Sequence, residues 1–343
     1  MSKQEIVVEW ESPSNLAIVK YWGKKDIQKP KNANISFSLK ESVTKTKVEA
    51  ILSKKAGFDF YLNNKLKPDF NPKISVVFDK LFEEYSKLRD YHFKIYSSNS
   101  FPHSSGIASS ASGMSALAFC LMDIASQVYD QPINYSEVSE LSRIGSGSAA
   151  RSIYSGWTIW GEHTSIEGSS DNFAVKLENI HPNFNNIGNA ILIVSSDVKK
   201  VSSSAGHKLM DGHPYAEARI IQASTNVEKL LKILEKGDWN EFLELAENEA
   251  LSLHALMMSS NPGYSLMEPI SLKIIDKIQN ARREEGLPVG FSMDAGPNVH
   301  LLYDKSQETK VLKWIDEEIR PLLSGGEIIF DEIGFGPKKI TNS

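Results

Sequence analysis

The first third of the chain alternates short apolar runs with turns. The segments EIVVEW, TKTKVEAIL, FDFYL and YHFKIYSS are rich in β-branched and aromatic residues and are separated by turn-forming residues. This pattern predicts strands of an antiparallel or mixed sheet. Between the last two runs, apolar residues recur every three or four positions from Ile74 to Leu88, which predicts an amphipathic helix.

The rest of the chain changes repeatedly between helical and strand-like patterns. A helical period with few charges runs from Met114 to Val128, so this helix is expected to be buried on most sides. The later segments predict a helix from about 136 to 145, a strand at AILIVSS, helices within 213–258, 268–285 and 308–323, a strand pair in GFSMDAGPNVHLLYD, and a closing strand at IIFDEI. With no repeat or low-complexity linker, we expect two domains, 1–190 and 191–343, joined by a continuous interface.

Composition and charge narrow the choice of partners. With 41% hydrophobic and 24% charged residues, the 343-residue chain has the composition of a globular protein. A net charge of -5 and a pI near 6.0 give no general attraction to nucleic acid or to an anionic membrane. Neither is therefore expected as a partner, and a polyanionic ligand must be held locally.

The chain shows no targeting or metal-binding pattern. Its N-terminus lacks the apolar core of a signal peptide. The apolar runs are expected to be shorter than the ~20 residues that a membrane-spanning helix needs. The single cysteine, Cys120, lies in an apolar run, which favours a buried side chain and a reducing compartment such as the cytoplasm. The eight histidines lack zinc-site spacing.

The loop FPHSSGIASSAS, residues 101–112, concentrates small residues directly before the long apolar helix. Helix N-termini carry unpaired N–H groups and the positive end of the helix dipole, so phosphate is the anion that such a loop suits. The loop lacks the GK[ST] ending of a P-loop. Close packing is an equally frequent reason for small residues at a helix start.

Three further segments carry candidate chemical groups. NLAIVKYWGKKD, residues 15–26, is either a solvated basic turn or a strand end where Lys20 faces a buried carboxylate. GSGSAARSIYSG, residues 145–156, offers backbone N–H groups and the guanidinium of Arg151, for an anion or for a structural ion pair. In SMDAGPN, Asp294 is either a turn former or a base that a neighbouring lysine keeps ionised.

Together these segments describe a site for a phosphorylated substrate and a nucleotide. In their order along the chain, and with PKNANISFSL, KKVSSSAGH and SLHALMMSSNPG, they resemble the GHMP kinase superfamily and, within it, the mevalonate 5-diphosphate decarboxylase family. The matching motifs run from about residue 13 to residue 302, and KYWGK and GSGSAxRS discriminate better than the serine-rich loop.

The resemblance implies a fold and a reaction. The fold is the two-domain α+β GHMP kinase fold, with an N-terminal domain like ribosomal protein S5 domain 2 and a C-terminal ferredoxin-like α/β sandwich. The reaction is ATP- and Mg²⁺-dependent decarboxylation of mevalonate 5-diphosphate to isopentenyl diphosphate, by way of phosphorylation of the 3-hydroxyl group. A cytoplasmic homodimer is also implied.

The resemblance also implies roles for residues on the substrate. Asp294 would orient and deprotonate the 3-hydroxyl group, Lys20 would sustain the charge of Asp294, and Arg151 would hold the substrate carboxylate. The diphosphate would contact Tyr21, Lys24, Ser146, Gly147, Ser148 and Ser203.

On the nucleotide, the resemblance implies contacts to the ATP phosphates or to magnesium from Ser105, Gly106, Ser109 and Ser110, with Ser109 as the candidate Mg²⁺ ligand. Asn99 is a further nucleotide candidate.

Some positions depart from the family pattern, and related activities stay open. His103, Ser104, Ser105 and Ile107 alter the serine-rich loop, Asn34 stands where Ser is frequent, and Ser204 stands where Arg or Thr is common. Mevalonate 5-phosphate decarboxylase and mevalonate 3-kinase are the closest alternatives. Homoserine or galactose kinases should lack KYWGK, and a non-catalytic nucleotide-binding protein on this fold is the alternative outside enzymes.

Overall fold

A computed structural model of the chain describes residues 4–101, 107–197 and 201–341. The described residues form a larger sheet in the N-terminal half and a smaller one in the C-terminal half, each with helices packed against it. The architecture is therefore α+β with two main sheets, as the family resemblance implies.

The N-terminal sheet contains the strands that the apolar alternation predicts, together with shorter ones. Its strands and the small β2–β3 hairpin are β1 (Glu5–Val19), β2 (Lys24–Lys25), β3 (Lys29–Pro30), β4 (Asn34–Leu52), β5 (Gly57–Leu62), β6 (Lys65–Leu66), β7 (Tyr91–Asn99), β8 (Trp157–Trp160) and β9 (Ala174–Lys176). The order is β14-β1-β4-β7-β5-β6, where β14 (Lys338–Lys339) comes from the C-terminus and β8 joins β4 to β9. Only β5 and β7 pair in parallel among these strands.

Strands β1 and β4 are much longer than their apolar runs predicted. The extensions are rich in buried serine and asparagine, most of which are hydrogen-bonded inside the protein. Ser14 Oγ, for example, donates to the carbonyl of Ile107 at 2.7 Å, and Ser36 and Thr158 pair across β4 and β8 at 3.2 Å. In β1 the polar stretch SPSN interrupts the apolar run, whereas the β4 extension NISFSL does alternate apolar and polar residues.

Three helices cover one face of this sheet: α1 (Asn71–Glu84), α2 (Ser109–Tyr129) and α3 (Tyr135–Gly145), followed by a 3-10 helix over Gly147–Ile153. Each α-helix lies where the periodicity predicted one, although α1 ends at Glu84 and Leu88 lies in a separate 3-10 turn, Ser86–Asp90.

Helix α2 is long and apolar enough to span a membrane by length and composition alone, which corrects the expectation that no such run exists. In this fold 78% of its most apolar window is buried inside the protein, and it packs against β1, β4 and α3. Cys120 lies in this helix and is fully buried, as expected.

The C-terminal half has its own antiparallel sheet, in the order β11-β12-β10-β13. Its elements are β10 (Ile187–Leu192), α4 (Ser203–Lys208), α5 (Ala216–Lys236), α6 (Trp239–Met258), α7 (Pro269–Glu284), β11 (Val289–Ser292), β12 (Val299–Asp304), α8 (Glu308–Trp314) and β13 (Ile328–Glu332). The helix predicted over 308–323 is α8 only as far as Trp314. A π-helical turn and a 3-10 turn that contains Pro321 replace its second half, since proline has no N–H to donate.

One apolar cluster joins the two halves. It contains Leu16 and Phe37 from β1 and β4 together with Ile187, Val227 and Phe242 from the C-terminal half. The pairing of β14 with β1 also ties the C-terminus to the first sheet. The domain boundary after residue 190 stays a prediction, and that position lies within β10.

Candidate active site

The candidate site is a pocket of about 270 Å³ between the two halves. Ten of the residues that the sequence analysis selected line it: Lys20, Tyr21, Lys24, Ser110, Ser146, Gly147, Ser148, Arg151, Ser203 and Asp294. An adjoining pocket of about 280 Å³ contains Asn99 and Ser109 and shares Lys73 and Ser110 with the first. Ser105 and Gly106 lie outside the described residues.

The centre of the pocket is an ion pair between the two halves. Lys20 directly follows β1 and Asp294 lies two residues beyond β11, with Lys20 Nζ 3.0 Å from Asp294 Oδ1. Lys20 is 1% exposed, whereas a quarter of the Asp294 side chain faces the pocket. The carboxylate therefore has both a fixed cationic neighbour and an open side for a ligand.

Burial and neighbouring charges set the ionisation of this pair. Burial lowers the pKa of Lys20, and the Asp294 carboxylate only partly offsets this effect. Burial also opposes the charge of Asp294, but Lys20, His300 and Arg151 together hold the pKa of Asp294 below its ordinary value. The carboxyl group of Asp294 is thus ionised at neutral pH.

Arg151 is fixed by two asparagines. Its Nε donates to Asn15 Oδ1 at 3.0 Å and its Nη1 donates to Asn34 Oδ1. Asn15 is in turn oriented by its donation to Ser152 Oγ at 2.8 Å. Burial lowers the pKa of Arg151 to about 10, so the guanidinium stays cationic at neutral pH and is held in one orientation at the pocket wall.

Two lysines of the pocket have no nearby acidic partner among the described residues. Lys24 and Lys73 both line the pocket, and among the described residues neither has a carboxylate within 4.0 Å. Burial lowers the pKa of Lys24, and the charge of Lys73 lowers it further. Two neighbouring ammonium groups that lack acidic partners in the described structure form a wall suited to a multiply charged anion.

Tyr21 adds an unpaired hydroxyl group to this wall. Its buried Oη has no hydrogen-bond partner among the described residues, and its ring packs edge-on against Trp160 with centroids 4.8 Å apart. Position 147 must be glycine here, because a Cβ atom would lie 2.7 Å from Tyr21 Oη and 3.0 Å from the Trp160 ring. A buried, unpaired hydroxyl at a polar pocket indicates a ligand that completes the hydrogen bond.

The start of α2 connects the two pockets. Ala108 precedes it in the left-handed conformation with φ 42°, and among the described residues no side chain caps the first turn. The N–H of Ala111 donates to the carbonyl of Ala108 at 2.7 Å, and the N–H groups that precede it at the helix start are suited to an anion. Ser110 Oγ lies 3.0 Å from Ser146 Oγ. Asn99 Oδ1 accepts a hydrogen bond from Thr44 Oγ1 at 2.8 Å. The adjoining pocket is mainly apolar, lined by residues that include Phe60, Leu62, Phe70, Ile74 and Leu117.

The described residues contain no cluster of three or more His, Cys, Asp or Glu side chains that could enclose a metal ion. Magnesium usually keeps several waters and binds through a few protein groups plus phosphate oxygens. The hydroxyl-bearing start of α2, with Ser109 in its first turn, fits a metal held in that way.

Lys73 and His207 are among the pocket-lining residues that sequence analysis did not select. Lys73 lies in the first turn of α1, where it looks like any exposed lysine of an amphipathic helix. His207 belongs to the quoted motif KKVSSSAGH, and its ring lies 4.4 Å from that of Tyr21 and 4.6 Å from that of Trp22. Burial, together with Lys24 and Arg151, lowers the pKa of His207 to about 3, so it is a neutral packing residue that accepts a hydrogen bond from Gly23 N–H at 2.9 Å.

Sequence families account for most of the chain. Residues 12–174 match the diphosphomevalonate decarboxylase-like N-terminal domain, and residues 189–333 match the mevalonate 5-diphosphate decarboxylase C-terminal domain. The diphosphomevalonate decarboxylase of Debaryomyces hansenii is 30% identical over 319 residues, which cover 88% of this chain and 80% of that protein.

Solved structures agree over the full length. Mevalonate diphosphate decarboxylase from Staphylococcus aureus has a TM-score of 0.86 and 28% identity, covering 98% of each chain. A structure of MDDEF in complex with MVAPP, AMPPCP and magnesium has a TM-score of 0.85 and 25% identity, covering 98% of this chain and 100% of that one. The predicted two-domain α+β GHMP kinase fold is confirmed. The chain belongs to the mevalonate 5-diphosphate decarboxylase family.

Proposed function

We propose that the protein catalyses ATP- and Mg²⁺-dependent decarboxylation of mevalonate 5-diphosphate, giving isopentenyl diphosphate, ADP, phosphate and CO₂. The observation that carries this proposal is the Lys20–Asp294 ion pair at 3.0 Å, which shares one pocket with Arg151 and with an anion-binding wall. The family membership and the relative that binds MVAPP, AMPPCP and magnesium support the same reaction.

In this proposal the substrate lies with its diphosphate against the cationic wall. Lys24 and Tyr21 hold the diphosphate, together with Lys73 and the small and hydroxyl residues Ser146, Gly147, Ser148 and Ser203. The Arg151 guanidinium, fixed by Asn15 and Asn34, binds the substrate carboxylate through the edge that these asparagines leave open.

Asp294 is then placed at the reacting hydroxyl group. It takes the proton of the tertiary 3-hydroxyl as that oxygen bonds to the γ-phosphorus of ATP and the bond to ADP breaks. The bond between C3 and the phosphorylated oxygen then breaks and releases phosphate. The bond from C2 to the carboxylate carbon breaks as well, and its electron pair forms the double bond of the product as CO₂ leaves. Lys20 and Arg151 stabilise the developing charges from fixed positions.

ATP is proposed to lie along the start of α2. Its phosphates contact Ser109 and Ser110, with Ser105 and Gly106 as further candidates, while the adjoining apolar pocket beside Asn99 accepts the base. Magnesium, held by Ser109 and phosphate oxygens, would neutralise charge on the phosphates.

The cationic wall favours a diphosphate over a monophosphate substrate. Lys24 and Lys73 bring two ammonium groups to one wall, and among the described residues no carboxylate offsets them. A diphosphate group offers more phosphate oxygens than a monophosphate group, so it can contact both ammonium groups and the unpaired hydroxyl group of Tyr21 at the same time. Mevalonate 3-kinase activity is less consistent with the site, because a kinase has no need for a guanidinium fixed at the departing carboxylate.

We also expect a homodimer in the cytoplasm, as the family resemblance implies. Size-exclusion chromatography with light scattering tests the first expectation, and a mass close to twice the 38.2 kDa chain mass is the expected result.

One assay separates the candidate activities. Purified protein is given MgATP with mevalonate, its 5-phosphate or its 5-diphosphate, while ADP and CO₂ are followed separately. We expect equal amounts of ADP and CO₂, with the 5-diphosphate as the preferred substrate. ADP without CO₂ would identify a kinase, and preference for the 5-phosphate would identify the sister decarboxylase. If neither ADP nor CO₂ is formed, the protein is a non-catalytic nucleotide-binding protein.

A further inference from the structure

A completely buried carboxylate lies behind the candidate site. Glu249, on α6, has no exposed surface, and each of its two carboxylate oxygens accepts two hydrogen bonds. Oε1 accepts from Arg219 Nη1 at 2.8 Å and from Asn226 Nδ2 at 2.5 Å, and Oε2 accepts from Arg219 Nη2 at 2.6 Å and from the backbone N–H of Lys20 at 2.8 Å. A buried carboxylate with four donors has a single defined position.

The Arg219–Glu249 pair grips the main chain of Lys20 at both of its polar groups. Glu249 accepts the Lys20 N–H, and Arg219 Nη2 donates to the Lys20 carbonyl at 3.2 Å, where Asn32 Nδ2 also donates at 3.0 Å. Lys20 follows the last residue of β1, so these groups lie beyond the strand ladder. The pair therefore fixes the point from which the Lys20 side chain reaches Asp294.

The pair also crosses the junction of the two halves. Lys20 belongs to the N-terminal half, whereas Glu249, Arg219 and Asp294 all belong to the C-terminal half. These hydrogen bonds tie the main chain of Lys20 to the half that carries Asp294. They therefore help to hold Lys20 Nζ at 3.0 Å from Asp294 Oδ1.

We infer that Glu249 and Arg219 are positioning residues that hold the Lys20 ammonium against the Asp294 carboxylate during turnover. This inference rests on the proposed function, in which Asp294 is the base. Neither residue is among the described residues that line the pocket. They contact the backbone of Lys20, and the negative charge of Glu249 also raises the pKa of the Lys20 ammonium group.

The same helix provides a matched control. Glu247 is 5% exposed and forms a two-pronged ion pair with Arg282, with Nη2 donating at 2.7 Å. This pair connects α6 to α7 and to the carbonyl of Val289, and it does not contact Lys20. A purely structural role predicts that Glu247→Gln and Glu249→Gln have similar consequences.

The first experiment compares steady-state kinetics of the two variants. Glu249→Gln keeps the side-chain shape but replaces one acceptor oxygen with an NH₂ group that faces donors. We expect kcat to fall by about 10- to 100-fold from a small misplacement of the reacting groups. The KM for ATP should stay within about twofold, since the nucleotide contacts lie elsewhere. Glu247→Gln should keep kcat within about twofold of the wild type, and an equal loss in both variants overturns the inference.

The second experiment follows the carboxyl carbon of Asp294 by ¹³C NMR during pH titration, assigned with Asp294→Asn. This carboxyl is faced by Lys20, Arg151 and His300, and the ring of His254 contacts its backbone carbonyl at 3.1 Å. Loss of the nearby negative charge of Glu249 alone would lower the titration midpoint. Displacement of Lys20 would raise the midpoint, because the carboxylate loses its nearest cation. A raised midpoint in Glu249→Gln supports positioning, and a lowered or unchanged one overturns it.

A double variant separates positioning from folding and net charge. Arg219→Met combined with Glu249→Leu removes both charges, a replacement that buried ion pairs often tolerate. It should fold, lose kcat and show a raised Asp294 midpoint. Failure of both the single and the double variant to fold would make the pair structural and overturn the inference. If the wild type releases no CO₂ from any substrate, the proposed function fails, while the titration still decides the positioning role.

Discussion

Replacement of Asp294 by asparagine tests the proposed chemistry most directly. The substitution keeps the shape of the side chain but removes its ability to accept a proton. A positioned general base contributes about 10²- to 10⁴-fold to a rate, so kcat should fall by at least about 100-fold. Nucleotide affinity should be nearly unchanged, because the nucleotide contacts proposed above lie at the start of α2 and in the adjoining pocket, which Asp294 does not line.

The structure also gives the expected effect of this substitution on stability. Asp294→Asn leaves the Lys20 ammonium buried without its carboxylate partner. Breaking a fully buried pair costs about 3–5 kcal/mol, and here about 2 kcal/mol is expected, since a quarter of the Asp294 side chain faces the pocket. The double variant Lys20→Met with Asp294→Asn should recover most of this free energy of unfolding without recovering activity.

Three measurements decide the outcome. Stopped assays of CO₂ release give kcat, isothermal titration calorimetry gives the affinity for a nonhydrolysable ATP analogue, and chemical denaturation gives the free energy of unfolding. If Asp294→Asn retains more than about a tenth of the wild-type kcat, Asp294 is not the base. If activity and nucleotide binding disappear together, Asp294 has a structural role.

Three further predictions concern single groups of the same pocket. Arg151→Lys should lower kcat by about 100-fold in the CO₂ assay, because an ammonium group cannot satisfy both asparagines and the substrate carboxylate. Arg143→Lys, equally buried but not among the described residues that line the pocket, should stay near wild type. In the pH profile of kcat/KM, the midpoint of the alkaline loss of activity should lie below the ordinary lysine value of 10.5, because burial lowers the pKa of Lys20 and activity is lost as the ammonium group deprotonates. If this midpoint does not move to higher pH in Lys20→Arg, another group causes the loss. Tyr21→Phe should leave stability in denaturant unchanged or raise it by up to about 1 kcal/mol, since Tyr21 Oη is unpaired without ligand, yet raise the KM for the diphosphate substrate; an unchanged KM would remove Tyr21 from the proposed substrate contacts.

Local patterns predicted most of the elements but not their full lengths. Helices α2, α5 and α6 follow apolar residues at helical spacing and lie where the sequence predicts them. In the first half of β4 the apolar residues at 35, 37 and 39 alternate with Ser36 and Ser38, so a strand was predictable there. What alternation could not show is that these serines are buried, because their burial depends on packing against other elements.

The sequence predicted the site residues that lie in motifs. It did not predict the residues that only the tertiary structure brings to the site. Lys20 and Asp294 are 274 residues apart, so single-sequence spacing cannot show that they meet, and only the family resemblance connected them. No sequence motif or spacing pointed to Glu249 or Arg219. On amphipathic helices such charged residues are usually solvated, and their burial depends on how α5 and α6 pack against the end of β1.

The two adjoining pockets have a consequence for inhibitor chemistry. The substrate pocket offers ammonium, guanidinium and hydroxyl groups, so compounds confined to it need several negative charges and cross lipid bilayers poorly. The neighbouring pocket is lined by aromatic and aliphatic side chains and is connected to the first through Lys73 and Ser110. A compound that places a flat ring system there and extends one acidic group past Ser110 would obtain affinity from apolar contact and remain permeable.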